Sequence, residues 1–252
     1  MRLASLGSGS RSNATVVEAG DACLLVDCGL SVRRVESGLQ RLGRALDDLT
    51  AVLVTHEHTD HIGRVERLAR RVDLPVWMSA GTGQMFGPEP AFEWRGISSH
   101  ESFSCDGVTV RPFPVPHDAR EPTQFVVDDG RHQLGLLTDA GSVTPHMVEM
   151  LSECDALFLE CNHDPDLLLN GDYPAALKRR VGGDWGHLSN QQAADLLRRL
   201  DCGRLQFVAA AHLSEQNNDP DLAVAALHEV LGDIERIHVA DQESGLQWLD
   251  IE

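Results

Sequence analysis

The chain has 252 residues, 42% hydrophobic and 24% charged, which excludes disordered and collagen-like classes and leaves enough chain for a sizeable buried core. Its 39 acidic residues against 21 basic ones give a formal charge of −18, a balance that disfavours loose, non-specific binding to nucleic acid. The first 13 residues lack the apolar run of a secretory signal and no segment is apolar enough to cross a bilayer, so a soluble, cytoplasmic protein is expected. The six cysteines (Cys23, Cys28, Cys105, Cys154, Cys161 and Cys202) form no CxxC pair, and most sit in apolar runs such as CLLVDCG. They read as small buried hydrophobes in a reducing compartment, not as metal ligands.

In chain order, strands are predicted at Arg2–Leu6, Thr15–Glu18, Ala22–Asp27, Ala51–Thr55, Val76–Ser79, Val108–Pro112, Gln124–Val127, Gln133–Thr138, Ala156–Glu160, Gln206–Ala211, Ile237–Val239 and Leu246–Leu249. These runs are β-branched or continuously apolar and stop at Gly, Asp or His, as buried strands do. Helices follow the other period. Ile62, Val65, Leu68 and Val72 recur at helical spacing with Arg64, Arg67 and Arg71 on another face. Thr144-Pro145 reads as an N-cap with proline at the first helical position, Ser189 to Gln192 as a capping box, and Pro220 as a third helix start. No repeat, low-complexity tract or linker divides the chain, so residues 1–252 read as one unit of packed sheets covered by helices.

The segment AVLVTHEHTDHIGRV carries the chemistry. A buried strand delivers His56 and His58 to its carboxyl end, and two residues apart in an extended loop they project to the same side. Asp60 and His61 follow where the chain turns into a helix, able to face a second ion. Such imidazole and carboxylate donors suit zinc, manganese or iron. Two divalent ions would return four positive charges to the site, so the acidic composition does not exclude a phosphate-bearing substrate.

THEHTDH resembles the HxHxDH signature of the metallo-β-lactamase superfamily, and further landmarks stand in that family's order. Asp27 in LLVDCG resembles the aspartate that supports the metal-binding loop. His117 in PVPHDA, Asp139 in LLTDAG and His212 in AAAHLS resemble the later ligand motifs. The resemblance implies an α/β (α+β) four-layer αββα sandwich with two mixed sheets flanked by helices. It also implies two divalent metal ions, manganese or zinc. His56, His58 and His117 would hold one ion, Asp60, His61 and His212 the other, with Asp139 bridging. Asp60 would also orient the attacking water.

Three longer stretches, LGSGSRSNATVVEAGDACLLVDCGLS, ECNHDPDLLLNGDYPAALKRRVGGDWGHLSNQQAADLL and AHLSEQNNDPDLA, resemble the YycJ/WalJ group of this fold. That likeness implies a 5′-to-3′ exonuclease on duplex DNA with a part in mismatch repair. The short interval between His117 and Asp139, with no extra domain-sized segment after it, leaves no room for the large inserted domain of the β-CASP nucleases. The metals alone also fit a small-molecule phosphodiesterase or a lactone or thioester hydrolase, and protein partners are not indicated.

Several residues keep two readings. His187 resembles the histidine that assists phosphodiester cleavage in tRNA 3′-processing enzymes. At the start of the capped helix, beside amide groups that favour an anion, it either binds phosphate and donates a proton or bonds to backbone. Asn162 and His163 support the site or the fold. Lys178, Arg179 and Arg180, with Arg64, Arg67 and Arg71, form a phosphate track or a solvated face. The Gly7 to Asn13 loop seats a terminal phosphate or is a turn, and Trp185 is a candidate for base stacking.

Overall fold

The computed structural model describes residues Met1–Glu252. The first half of the chain supplies β1 (Arg2–Gly7), β2 (Ala14–Ala19), β3 (Ala22–Val26), α1 (Val32–Arg41), β4 (Ala51–Leu53), α2 (Thr59–Ile62), α3 (Val65–Val72), β5 (Val76–Ser79), α4 (Ala80–Gly83) and β6 (Trp94–Ile97). The second half supplies β7 (Phe103–Cys105), β8 (Val108–Pro114), β9 (Thr123–Asp128), β10 (Gln133–Leu137), α5 (Pro145–Leu151), β11 (Ala156–Glu160), α6 (Pro165–Asn170) and α7 (Ala175–Val181). It ends with α8 (Asn190–Arg199), β12 (Phe207–Ala211), α9 (Pro220–Leu231), β13 (Ile237–Val239) and β14 (Leu246–Asp250). No helix is long and apolar enough to cross a membrane.

Two seven-stranded mixed sheets result, ordered β14-β1-β2-β3-β4-β5-β6 and β13-β12-β11-β10-β9-β8-β7. Strands β14, β1, β2 and β3 pair antiparallel, and β3 to β6 pair parallel. The other sheet repeats the plan, antiparallel from β7 to β10 and parallel from β10 to β13. Side chains alternate between two buried faces, which is why these strands read as unbroken apolar runs. Leu24 and Leu53 meet Phe125 and Phe158 between the sheets. Leu25 and Val52 pack under α1 and α3 on Val35, Leu39 and Leu68. Leu157 and Val208 pack under α8 and α9 on Leu196, Leu197 and Leu227. The four layers are helix, sheet, sheet and helix.

The predicted strands are all present, with ends shifted by one or two residues, and the capped starts of α5, α8 and α9 stand at Thr144, Ser189 and Asp219. Two differences have clear causes. The single helix predicted after His61 is split into α2 and α3, because Arg64 leaves helical geometry and donates its backbone N–H to Cys28 O at 2.9 Å. Strands β6 and β7 carry no periodic signal in the sequence; each lies at a sheet edge with one buried residue. Helices α1, α4, α6 and α7 were likewise not marked by the sequence pattern; α7 has no fully buried residue to impose one.

The parallel strands all open onto one rim. Antiparallel steps through β9 make β8 run the same way as β10, so their carboxyl ends lie together. Three residues just past strand ends turn into the left-handed region, Asp27 at φ 62°, Asp139 at 54° and His212 at 54°. Such backbone is costly for non-glycine residues and turns each side chain sharply into the rim. Gly29 permits a second close approach: a Cβ there would lie 1.7 Å from Asp60 O. Gly29→Ala should therefore lower folding stability by about 1–3 kcal/mol, as overpacking does. Urea unfolding reads this as a lower midpoint at unchanged slope, and a wild-type midpoint would show that the α2 loop yields without cost.

Candidate metal centre

The rim gathers all seven residues proposed as ligands from the sequence. His56, His58 and His117 bring one ring nitrogen each within 4.8 Å of one another, as do His61 and His212 with a carboxylate oxygen of Asp60. Asp139 lies between the groups, with Oδ2 3.0 Å from His61 Nε2 and Oδ1 3.8 Å from His117 Nε2 and 3.3 Å from His212 Nδ1. His56, His61, His117, Asp139 and His212 are buried; His58 and Asp60 are half-buried at the mouth.

Every imidazole is tethered by one nitrogen. His56 Nδ1 donates to Thr55 Oγ1 (2.9 Å), His61 Nδ1 to Asp27 Oδ2 (2.7 Å) and His117 Nδ1 to Gly186 O (2.9 Å). His58 Nε2 donates to Asp118 O (3.2 Å) and His212 Nδ1 to Glu160 Oε1 (3.1 Å). The remaining nitrogens face the centre, and those of His56 and His212 are buried with no hydrogen-bond partner. Unpaired buried polar atoms are expensive, and outer tethers that fix tautomers are the usual support of metal-binding histidines. The donor set fits divalent cations.

Electrostatics agree with that fit. Burial, then the neighbouring His61, holds His56 well below the usual imidazole range. Burial opposes charge on His212 too, yet Asp139, Asp60 and Glu160 outweigh it and push the ring up to about 10. His61 is raised in the same way by Asp139 and Asp27. Asp139 is itself held far below the carboxylate range, because His212 and His61 overcome its burial. Without cations, protons on His61 and His212 balance the buried carboxylates; bound cations would take that place.

Glu160 is the residue that the sequence reading missed as a site group. It ends β11 fully buried, accepts His187 Nδ1 at 2.8 Å and His212 Nδ1 at 3.1 Å, and receives the N–H groups of Ala140 (2.8 Å) and Leu188 (3.2 Å). Burial works to raise its pKa, but His187 and His212 bring it down to about 2. The available signal was a charged residue closing the apolar run ALFLE, the position that Asp27 and Asp139 take next to their strands.

His187 lines a cavity of about 420 Å³ together with His58, Asp60, Asp139 and His212. Three amides at the start of α8 are already taken: Gln192 N donates to Ser189 Oγ, Ser189 N to Gln192 Oε1, and Asn190 N to His163 O. Asn162 donates to His212 O at 2.9 Å and so braces the centre. His163 is buried, and burial lowers it to about 4. In the Gly7 to Asn13 loop, the amides of Ser8, Gly9, Arg11 and Asn13 all bond within the protein. Ser8 Oγ accepts His212 N, and only Ser10 lines the cavity. The Trp185 side chain is 64% exposed and lines no part of the cavity. Arg180 does line it, while Arg64 lines an adjoining cavity that shares Ser10, Thr59 and Asp60.

Residues 23–208 match the model of the β-lactamase superfamily domain. The exodeoxyribonuclease YycJ of Bacillus anthracis is 34% identical over 230 residues, 90% of this chain and 87% of that protein. The exodeoxyribonuclease WalJ of Streptococcus pneumoniae is 34% identical over 226 residues, 86% of this chain and 83% of that protein. The crystal structure of the metallo-β-lactamase fold protein YhfI from Bacillus subtilis superposes with a TM-score of 0.77 over 99% of both chains, at 17% identity. A metal-dependent hydrolase, the chain belongs to the metallo-β-lactamase superfamily and, within it, to the YycJ/WalJ group.

Proposed function

We propose that this hydrolase is a two-metal phosphodiesterase that removes nucleotides from the 5′ ends of duplex DNA and serves mismatch repair in the cytoplasm, residues 1–252 acting as one unit. Support comes from relatives named exodeoxyribonucleases along most of the chain. The six free thiols suit a reducing compartment. His56, His58 and His117 would hold one ion, Asp60, His61 and His212 the other, with Asp139 within reach of both; manganese and zinc each suit these donors. When bound, such ions polarise the phosphodiester and acidify the attacking water.

The remaining steps fall to the chain's own groups. Asp60, held below the carboxylate range because His212 and His61 outweigh its burial, stays ionised and orients the attacking water by accepting a hydrogen bond from it. The P–O bond to the leaving nucleotide breaks as His187 gives a proton to the departing oxygen from Nε2. Glu160 keeps that ring aimed by holding Nδ1. The observation that carries the reading is His187, which faces the same cavity as Asp60 and is held from behind by the buried Glu160.

Manganese-loaded protein should release mononucleotides from the 5′ end of an end-labelled, 5′-phosphorylated duplex. Turnover confined to bis(p-nitrophenyl) phosphate, a lactone or a thioester would remove the nuclease reading. Asp60→Ala should abolish hydrolysis, whereas His187→Ala should slow it with metal content, measured by elemental analysis, intact; equal metal loss in both contradicts a separate role for His187. Glu160→Gln must turn its carbonyl to the Ala140 and Leu188 amides and its NH₂ to the rings, spoiling their tautomers. At saturating manganese its turnover should fall on the order of 10²-fold, the scale of lost outer support, and near-wild-type turnover would refute the assignment.

A further inference from the structure

The cavity over the metal centre has two unlike sides. Its floor and one side are histidines, carboxylates and hydroxyl groups, whereas α7 and the residue before its cap contribute Tyr173, Leu177, Arg180 and Val181. Leu177 and Val181 stand four residues apart on one face of α7, Tyr173 just before its N-cap lines the same cavity, and all three are half-buried. Tyr173 is the chain's single tyrosine. Leu177 and Val181 are two of only three hydrophobic residues lining the cavity, and Arg180 is its single Lys or Arg side chain. Hydrolysis of a phosphodiester needs none of this apolar surface. A flat, uncharged group attached to the phosphate does.

The wall is firmly seated. His187 N donates to Val181 O at 2.9 Å and Gly183 N to Arg180 O. A Cβ on Gly186 would lie 2.1 Å from Arg180 O and 2.2 Å from Val181 O, so the helix end rests directly on the residue whose carbonyl tethers His117. Arg180 itself is 61% exposed, and its Nε donates to Asp118 Oδ2 at 2.6 Å. An ion pair this open to water is weakly held, so a phosphate oxygen competes for the guanidinium without breaking the fold.

We infer that this face is a nucleotide subsite, in which the base lies on Tyr173, Leu177 and Val181 and a phosphate oxygen draws Arg180 from Asp118. It rests on the nuclease reading above, because it gives that reading's nucleotide its place. A cavity of about 420 Å³ lies in the usual size range of ligand sites. Stacking on an aromatic face accepts any base, so the subsite confers a preference for nucleotides over other phosphates without sequence choice.

Calorimetric titration of the manganese-loaded protein with deoxyadenosine 5′-monophosphate, 2-deoxyribose 5-phosphate and inorganic phosphate tests this. The base should add about tenfold in affinity over the sugar phosphate. Tyr173→Ala should erase that gap, Tyr173→Phe should keep it, and Arg180→Ala should weaken both sugar phosphates by a similar factor. Equal wild-type affinities for the nucleotide and the sugar phosphate, or a gap that survives Tyr173→Ala, overturns the proposal. The wild-type comparison decides even if a variant fails to fold. Digestion of duplex DNA without a base-dependent gap sinks the subsite and leaves the nuclease reading standing; a gap without digestion does the reverse.

Discussion

The chemistry of this rim depends on tethering. A free imidazole offers two nitrogens and two tautomers, and a site built from six of them has many wrong arrangements. Here each ring gives its outer nitrogen to a fixed acceptor, and the inner one is aimed by default. Two of the acceptors are backbone carbonyls, those of Asp118 and Gly186, so the site is coupled to the course of the loops themselves. Small shifts at the 183–186 turn therefore reach His117 directly, and Gly141 and Gly186 are the positions where that turn is pressed against its neighbours.

The two sheets solve this problem in the same way. Each runs antiparallel and then parallel, and each keeps at the base of the rim a buried carboxylate that holds the outer nitrogen of a histidine. Asp27, just after β3, accepts Thr55 N and Thr55 Oγ1 at 2.8 Å and His61 Nδ1 at 2.7 Å. Glu160, ending β11, accepts two backbone amides and two imidazoles. A carboxylate with several donors stays ionised despite burial, and it strengthens the basicity of the ring it holds. The matching strand plans make the fold look internally repeated although the sequence shows no repeat. What the halves share is a hydrogen-bonding role at a strand end, which a carboxylate of either length fulfils.

Legibility in the sequence followed locality. Ligands His56 to His61 are legible because a buried strand and a tight turn fix their spacing within six residues. The buried strands are equally plain, since two covered faces demand continuous apolar runs. Glu160 is not, because its partners stand 27 and 52 residues away and only the folded rim brings them together. Edge strands β6 and β7 pair on one side only and mostly face solvent, so no burial pattern marks them. The helix predicted after His61 fails at Arg64 for a tertiary reason, its amide being claimed by Cys28 O. Tyr173 precedes a short helix without a buried face, and nothing in its neighbours announces a cavity wall.

The net charge of −18 then acquires a specific meaning for a polyanionic ligand. Long-range attraction is absent, and the protein's overall field opposes approach. Three arginines near the rim add little attraction, since Arg11 is paired with Glu215 and Glu243, Arg34 with Glu243 and Arg180 with Asp118, while Arg64 beside Asp60 stands outside these pairs. In the proposed reading attraction would be short-ranged, from cations held in the centre and from a guanidinium that exchanges a carboxylate for a phosphate on contact. Exposed pairs of this kind are worth only about 0–1 kcal/mol, so the exchange costs little. In the proposed nuclease reading, an acidic protein with cations held in its centre would admit phosphate at the rim and disfavour it elsewhere.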